Sequence, residues 1–295
     1  MKVTHAGIIT RHDAPAIKQV GEELAAWFRA RGIRADLDRI EPDMDMLVIL
    51  GGDGTLLHVA PRASHYDIPV VGINLGNLGF LTEIAADEMY QALQTILSGR
   101  VYIEQRMMLK ARFIRDGDAG EEAPLFVLNE VVVVKGNTER VVRLRCWADA
   151  EYITTYKADG LILSTPTGST AYNLSAGGPI VHAELDVILV TPICPFMLES
   201  RPVLLSPHVR ITTQLADPAG DVKVIVDGRR GWDMRKDDCL VVEAAAKPLL
   251  LISSPHKSYF DILRRKLNWG GRSSGMPLPR QVAGHFFERN SAVRP

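Results

Sequence analysis

At 295 residues the chain is long enough for two domains, and 46% hydrophobic with 23% charged residues is the balance of a packed globular protein, which excludes a disordered one. A formal net charge of −1 gives no general attraction to DNA, RNA or an anionic membrane, so no nucleic-acid or membrane partner is expected and a phosphate-bearing ligand must be held locally. Three widely spaced cysteines, Cys146, Cys194 and Cys239, suit neither a disulfide framework nor a Cys-x-x-Cys metal site. Together with the lack of an apolar signal core in residues 1–10 and of any run of ~18 apolar residues, they predict reduced thiols in a cytoplasmic protein.

The first hundred residues alternate apolar runs with amphipathic stretches. Strands are predicted at 3–10, 33–37, 46–50 and 68–73, a helix with Ile17, Val20, Leu24, Trp27 and Phe28 on one face, and helices at 56–64 and 87–97. This alternation predicts an α/β domain with a mostly parallel sheet covered by helices. Beyond Arg100 strand-like runs follow at 101–114, 124–135, 140–148, 152–157, 161–164, 185–191, 203–205, 209–215, 222–226, 239–244 and 248–252, and their close succession predicts an all-β sandwich-like second domain. A helix is predicted at 259–267, and after about Asn268 the chain frays into Gly, Ser, Pro and Arg, a tail without regular structure. The expected division is residues 1–100 with 256–295 as one domain and 101–255 as the other.

The apolar run 46–50 ends in Gly51-Gly52-Asp53-Gly54-Thr55, and Leu56, Leu57 and Ala60 continue as a helix. Glycines let a ligand approach the backbone, and the free amides of a first helical turn attract an anion, so Gly51, Gly52, Gly54 and Thr55 are candidate phosphate-binding residues. Read alone, the same residues also suit a tight turn with Asp53 or Thr55 capping the helix. The pattern is neither G-x-x-x-x-G-K-[ST] nor G-x-G-x-x-G. It resembles the loop shared by NAD kinases, diacylglycerol and sphingosine kinases and, more loosely, phosphofructokinases.

Three further segments resemble NAD kinases specifically and extend the likeness from the first strand to about Asn268. They are Gly72-Ile73-Asn74-Leu75-Gly76-Asn77-Leu78-Gly79-Phe80-Leu81, Leu128-Asn129-Glu130-Val131, and the run from Asp159-Gly160 through Ser164-Thr165-Pro166-Thr167-Gly168-Ser169-Thr170-Ala171-Tyr172-Asn173-Leu174-Ser175 to Gly178-Pro179. In the second, an amide and a carboxylate interrupt an apolar strand and need partners. In the third, hydroxyls, small residues and one aromatic form a strip able to follow an adenosine closely.

The resemblance implies an NAD kinase-like fold and phosphoryl transfer from ATP to the adenosine 2′-hydroxyl of NAD. It implies Asp53 as catalytic base, with Gly54 beside it at the reacting ribose. Asn129 and Glu130 would hold ribose hydroxyls or adenine; Thr170, Ala171, Tyr172, Asn173, Leu174 and Ser175 would line the adenosine pocket, and Phe80 would stack near the adenine. Arg140, Lys157 and Asp159 match positions contacting the rest of the dinucleotide. A divalent cation, Mg²⁺ by expectation, would accompany the phosphate donor, and the pocket would be completed by a neighbouring subunit of a homodimer or homotetramer. Two departures stand out. Phe196-Met197-Leu198 replaces a common His-Thr-Leu, and Arg229 stands in Val226-Asp227-Gly228-Arg229 where glutamine is common; Arg229 is counted with the NAD-binding residues, and its charge also makes it a candidate phosphate contact.

Two other readings stay open at this point: a lipid kinase of the diacylglycerol or sphingosine type, and a non-catalytic NAD or nucleotide sensor. The eight histidines form no H-E-x-x-H pattern, so no zinc site built by the protein is expected, and no G-x-S-x-G elbow supports serine hydrolysis.

Overall fold

The computed structural model describes residues 2–10, 15–76, 79–117, 122–137, 140–197, 199–218, 220–255 and 257–269. Met1–Pro255 form one compact unit and His256–Pro295 a second, and the predicted irregular tail lies from residue 270 onward outside the described residues. Among the described residues no helix is long and apolar enough to cross a membrane.

The first unit opens with β1 (His5–Thr10), α1 (Pro15–Arg29), β2 (Arg34–Leu37), β3 (Met46–Leu50), α2 (Asp53–His65), β4 (Val70–Asn74), β5 (Ile84–Ala85), α3 (Met89–Leu97) and β6 (Ile103–Arg106). β3 is apolar at every position because both faces of its sheet are covered. Met46, Val48 and Leu50 pack with Leu24 and Phe28 of α1 and Leu93 of α3, whereas Leu47 and Ile49 pack with Leu56, Val59 and Ala60 of α2. The alternation of side chains along a strand divides one continuous apolar run between two cores. Neighbours run parallel in the order β2-β1-β3-β4, and β5 joins β4 in parallel.

The next strands are β7 (Leu109–Ile114), β8 (Leu125–Val127), β9 (Glu130–Lys135), β10 (Val142–Ala148), β11 (Glu151–Ala158) and β12 (Gly160–Ser164). A 3₁₀ turn (Thr167–Thr170) and the one-turn helix α4 (Tyr172–Ser175) lead to β13 (Ile188–Ile193), β14 (Val203–Leu205), β15 (Ile211–Leu215), β16 (Val222–Val226), β17 (Arg229–Asp233), β18 (Cys239–Ala244) and β19 (Leu249–Ile252). Two antiparallel sheets, β11-β10-β15-β18-β7-β8 and β14-β13-β12-β9-β16-β17, enclose a core that includes Phe113, Leu144, Val131, Val133, Leu161, Leu163 and Trp232. The outer face of the second sheet carries Val132, Ile162 and Ile193, packed with Ala176 just after α4. The second unit contributes α5 (Tyr259–Leu267), whose N-terminus is closed by a reciprocal Ser258–Asp261 capping box.

The sheets do not divide at the expected residues 100 and 255. The run 101–114, read as one strand, is two. β6 ends the parallel sheet, β7 belongs to the sandwich, and between them Met107 is buried in the sandwich core while Met108 is buried under α2. β19 returns to the first sheet, parallel to β4 and antiparallel to β6. β17 was not predicted, because Arg229-Arg230-Gly231-Trp232-Asp233 has no apolar run; its pairing with β16 forms it.

Candidate active site

The carboxyl ends of β3 and β4 converge on the glycine loop, the place where open α/β sheets bind ligands. Gly52 is the N-cap of α2 with extended backbone (φ −95°, ψ −178°) and no side chain caps the helix. The Thr55 N–H donates to the Gly52 carbonyl (3.0 Å), which leaves the amides of Asp53 and Gly54 for an external acceptor, at the positive end of the helix dipole. A Cβ on Gly52 or Gly54 would find no atom within 4 Å, so the backbone there is open to a ligand. Thr55 instead turns its side chain back on Gly51.

Asp53 is the first residue of α2 but does not cap it. Among the described residues, its Oδ1 accepts from the Leu81 N–H (3.1 Å), the Thr82 N–H (2.9 Å) and the Thr82 hydroxyl (2.9 Å), while Oδ2 accepts only from the Phe80 N–H (2.8 Å). Asn74, the last residue of β4, donates to Thr82 Oγ1 (2.8 Å) and accepts the Gly76 N–H (2.7 Å). The loop joining β4 to β5 is thus fastened to the aspartate, with Gly79 so close that a Cβ would fall 1.9 Å from Asp53 Oδ1. Phe80 contributes its amide here. Neither Asn74 nor Thr82 was singled out from sequence; a polar residue closing a buried strand was the available signal for Asn74.

A second carboxylate group lies at the start of β9. Leu128 packs with Leu56 and Leu81 in one apolar cluster, which carries Asn129 and Glu130 into the neighbourhood of α2 and the Asp53 loop. Asp227, in the tight turn between β16 and β17 with φ 46°, accepts the N–H groups of Leu128 (2.9 Å), Asn129 (2.8 Å) and Glu130 (3.1 Å). Those three bonds hold a non-glycine residue in the left-handed region, a conformation that costs about 1–3 kcal/mol. Nothing in the sequence marks Asp227 as a site residue, because its three partners lie about a hundred positions away.

Glu130 is only 7% exposed, and its Oε2 has no hydrogen-bond partner among the described residues. Burial, then the neighbouring Asp227 carboxylate, push its pKa up to about 8 against the opposing Tyr172 N–H. Asp227 is likewise raised by burial, with its three backbone donors pulling the other way. Thr167, also 7% exposed, has an unpartnered hydroxyl, and the Asn129 side chain makes no hydrogen bond to another described residue. Unpaired buried polar atoms are costly, and several at one place mark where ligand atoms belong.

Tyr172 reaches this point through its N–H to Glu130, and Thr170, Ala171, Tyr172, Leu174 and Ser175 carry half-buried or exposed side chains. Asn173 differs from its neighbours in the strip. It is fully buried, donates to the Ser169 and Pro179 carbonyls (3.1 Å each) and accepts from Thr191 (2.7 Å), so its amide is spent in fixing the strip to β13.

Lys157 and Asp159 do not lie beside Glu130. Asp159 precedes β12 and pairs with Lys135 (2.7 Å), whereas Glu130 faces Ser164 at the other end of that strand. Five residues of strand separate the two ends by roughly 17 Å. Arg229 donates to Nδ1 of His58, which stands one turn above Gly54 on the same face of α2. Phe196 is 75% exposed.

Residues 11–101 match the ATP-NAD kinase N-terminal domain and residues 128–254 the ATP-NAD kinase C-terminal domain. The chain is 42% identical over 277 residues to the NAD kinase of Geotalea daltonii, covering 88% of this chain and 96% of that one. It is 41% identical over 286 residues to the NAD kinase of Syntrophotalea carbinolica, covering 90% and 99%. The crystal structure of yeast NADH kinase complexed with NADH superposes with a TM-score of 0.80 at 26% identity, covering 95% of this chain and 91% of that one.

Proposed function

From the premise that the chain belongs to the ATP-NAD kinase family, we propose that it transfers the γ-phosphoryl group of ATP to the adenosine 2′-hydroxyl of NAD, giving NADP and ADP. The observation that carries this reading is the lightly loaded Oδ2 of Asp53, beside the uncapped amides of α2 and joined through Leu56, Leu81 and Leu128 to the Asn129–Glu130 segment.

In this reading Asn129, the Glu130 carboxyl and the Thr167 hydroxyl take the ribose and adenine, with Tyr172 and the Thr170–Ser175 strip along the adenosine. A Glu130 that keeps its proton at neutral pH donates a hydrogen bond where a carboxylate could only accept one. The 2′-oxygen bonds to the γ-phosphorus as the link from that phosphorus to the β–γ bridging oxygen breaks. ADP departs with the electron pair, and the hydroxyl proton passes to Asp53 Oδ2. Aspartate is adequate because transfer through a loose transition state demands mainly alignment and charge stabilisation, with the proton lost late.

The donor phosphates would lie on the amides of Gly52 to Gly54, with Arg229 above Gly54 supplying positive charge. This cradle, open where a Cβ would sit, suits a triphosphate that brings its own divalent cation, Mg²⁺ by expectation, because its amides hold the anion rather than the metal. When bound, that cation neutralises charge on the donor phosphates. The separation of Lys157 and Asp159 from Glu130 supports the expectation of a homo-oligomer in which a second copy brings those residues to the nucleotide. Three free cysteines fit a reducing, cytoplasmic setting.

The test is incubation of the purified chain with ATP, Mg²⁺ and NAD while NADP is measured, with diacylglycerol as control acceptor. NADP formation is expected, with no phosphorylation of the lipid. Asp53→Asn should lower turnover by at least ~100-fold, the scale of general-base loss, while NAD still binds. Near-normal turnover in that variant would refute the role of Asp53.

A further inference from the structure

We propose that Thr82 and Asn74 are positioning residues which set the Asp53 carboxylate so that Oδ2, and not Oδ1, takes the hydroxyl proton; the inference rests on the reading of Asp53 given above. The hydrogen-bond directions follow from the donors available. Asn74 accepts the Gly76 N–H with its Oδ1, so its Nδ2 is the atom facing Thr82, at 2.8 Å. With an amide donor already on it, the Thr82 oxygen turns its single proton to Asp53 Oδ1, 2.9 Å away. Two backbone N–H groups, of Leu81 and Thr82, complete three donors on that oxygen.

The carboxylate is therefore loaded unevenly. Oδ1 has its lone pairs occupied and Gly79 against it, while Oδ2 has one donor among the described residues, the Phe80 N–H. Thr82 is fully buried and Asn74 nearly so, hence solvent does not scramble the arrangement. A buried, fully satisfied chain of this kind has one direction, because reversing any bond leaves an N–H facing an N–H or two lone pairs facing each other. Its effect is to fix both the rotation of Asp53 and the identity of the reactive oxygen before substrate arrives, which is the preorganisation that phosphoryl transfer asks of a protein.

Two substitutions attack the chain from different sides. Thr82→Val keeps the shape and removes the hydroxyl. Asn74→Asp keeps the shape and the acceptor for Gly76 but replaces the amide donor by a carboxylate, which draws the Thr82 proton away from Asp53. Each is expected to lower kcat about 10- to 100-fold, the cost of a misplaced reacting group, with KM for NAD and for ATP within about 2-fold of the parent. Thr82→Ser should recover kcat to within about 3-fold, since it restores the hydroxyl.

Melting temperatures are recorded alongside, and Asn74→Asp decides between the outcomes should Thr82→Val not fold. A kcat within 2-fold of the parent in folded Asn74→Asp, a loss that falls in KM instead, or a Thr82→Ser variant as slow as Thr82→Val would overturn the proposal. Asp53→Asn separates the two levels of argument. If it keeps normal turnover, the reading of Asp53 falls. If it is inactive while Asn74→Asp and Thr82→Val are fast, only the positioning role falls.

Discussion

Two acidic centres border the apolar cluster that includes Leu56, Leu81 and Leu128, and they are finished to different degrees. Asp53 has four protein donors and both oxygens engaged. Glu130 keeps one oxygen unpartnered, with Thr167 equally unfilled. The contrast separates chemistry from recognition. A group that must act is held by the fold, while groups that must bind are left short of partners that a ligand can supply, at a cost in stability that the surrounding packing absorbs.

The largest effect expected from disturbing the finished side is at Gly79. An added methyl would meet Asp53 Oδ1 at 1.9 Å and Thr82 Oγ1 at 2.5 Å, so Gly79→Ala must displace the carboxylate or the loop. A displacement of about 1 Å at a reacting group costs on the order of 100-fold, and kcat for NADP formation should fall by that amount. An unchanged kcat would show that Asp53 needs no such fixation.

Gly54 offers the opposite case, with no atom within 4 Å of the added methyl. Gly54→Ala should melt no lower than the parent, because alanine is the better helix residue, yet its methyl stands where the donor phosphates are proposed to lie. The KM for ATP should rise about 10-fold, equivalent to about 1.4 kcal/mol, with the KM for NAD unchanged. A rise in the KM for NAD alone would move the phosphate cradle elsewhere.

What was legible in the sequence follows the same division. The buried strand 46–50 and its glycine loop were visible because continuous apolar runs and glycines have local causes, and β3 and the start of α2 lie where those signals put them. Asp227, Thr82 and Asn74 were not visible as site residues, since their roles depend on partners 97 to 99, 29 and 8 positions away. The ties of Asn173 to Ser169, Pro179 and Thr191 were hidden for the same reason. Nothing local distinguishes an amide that meets a ligand from one that ties a loop to Thr191. β19 could be read as a strand from its run of leucines, but its membership of the first sheet rests on pairing with β4 and β6.

The subtlest way to probe the unfinished side is to remove the ionisable proton from Glu130. Its pKa is raised from 4.5 to about 8, so between those values the folded chain holds a proton that the unfolded chain has released. Stability then falls as pH rises through that window, because the native state binds more protons than the unfolded one. Glu130→Gln keeps the shape and a hydrogen-bond donor but cannot ionise. It should match the parent at pH 5 and melt higher at pH 8.5 by about 3 °C or more, given 2–4 °C for each kcal/mol in a protein of this size class. A gain that appears only at the higher pH would identify the carboxyl itself as the source of the cost. A variant less stable at both pH values would instead mean that Glu130 braces the Asp227 turn, and the division between a finished centre and an open one would have to be redrawn.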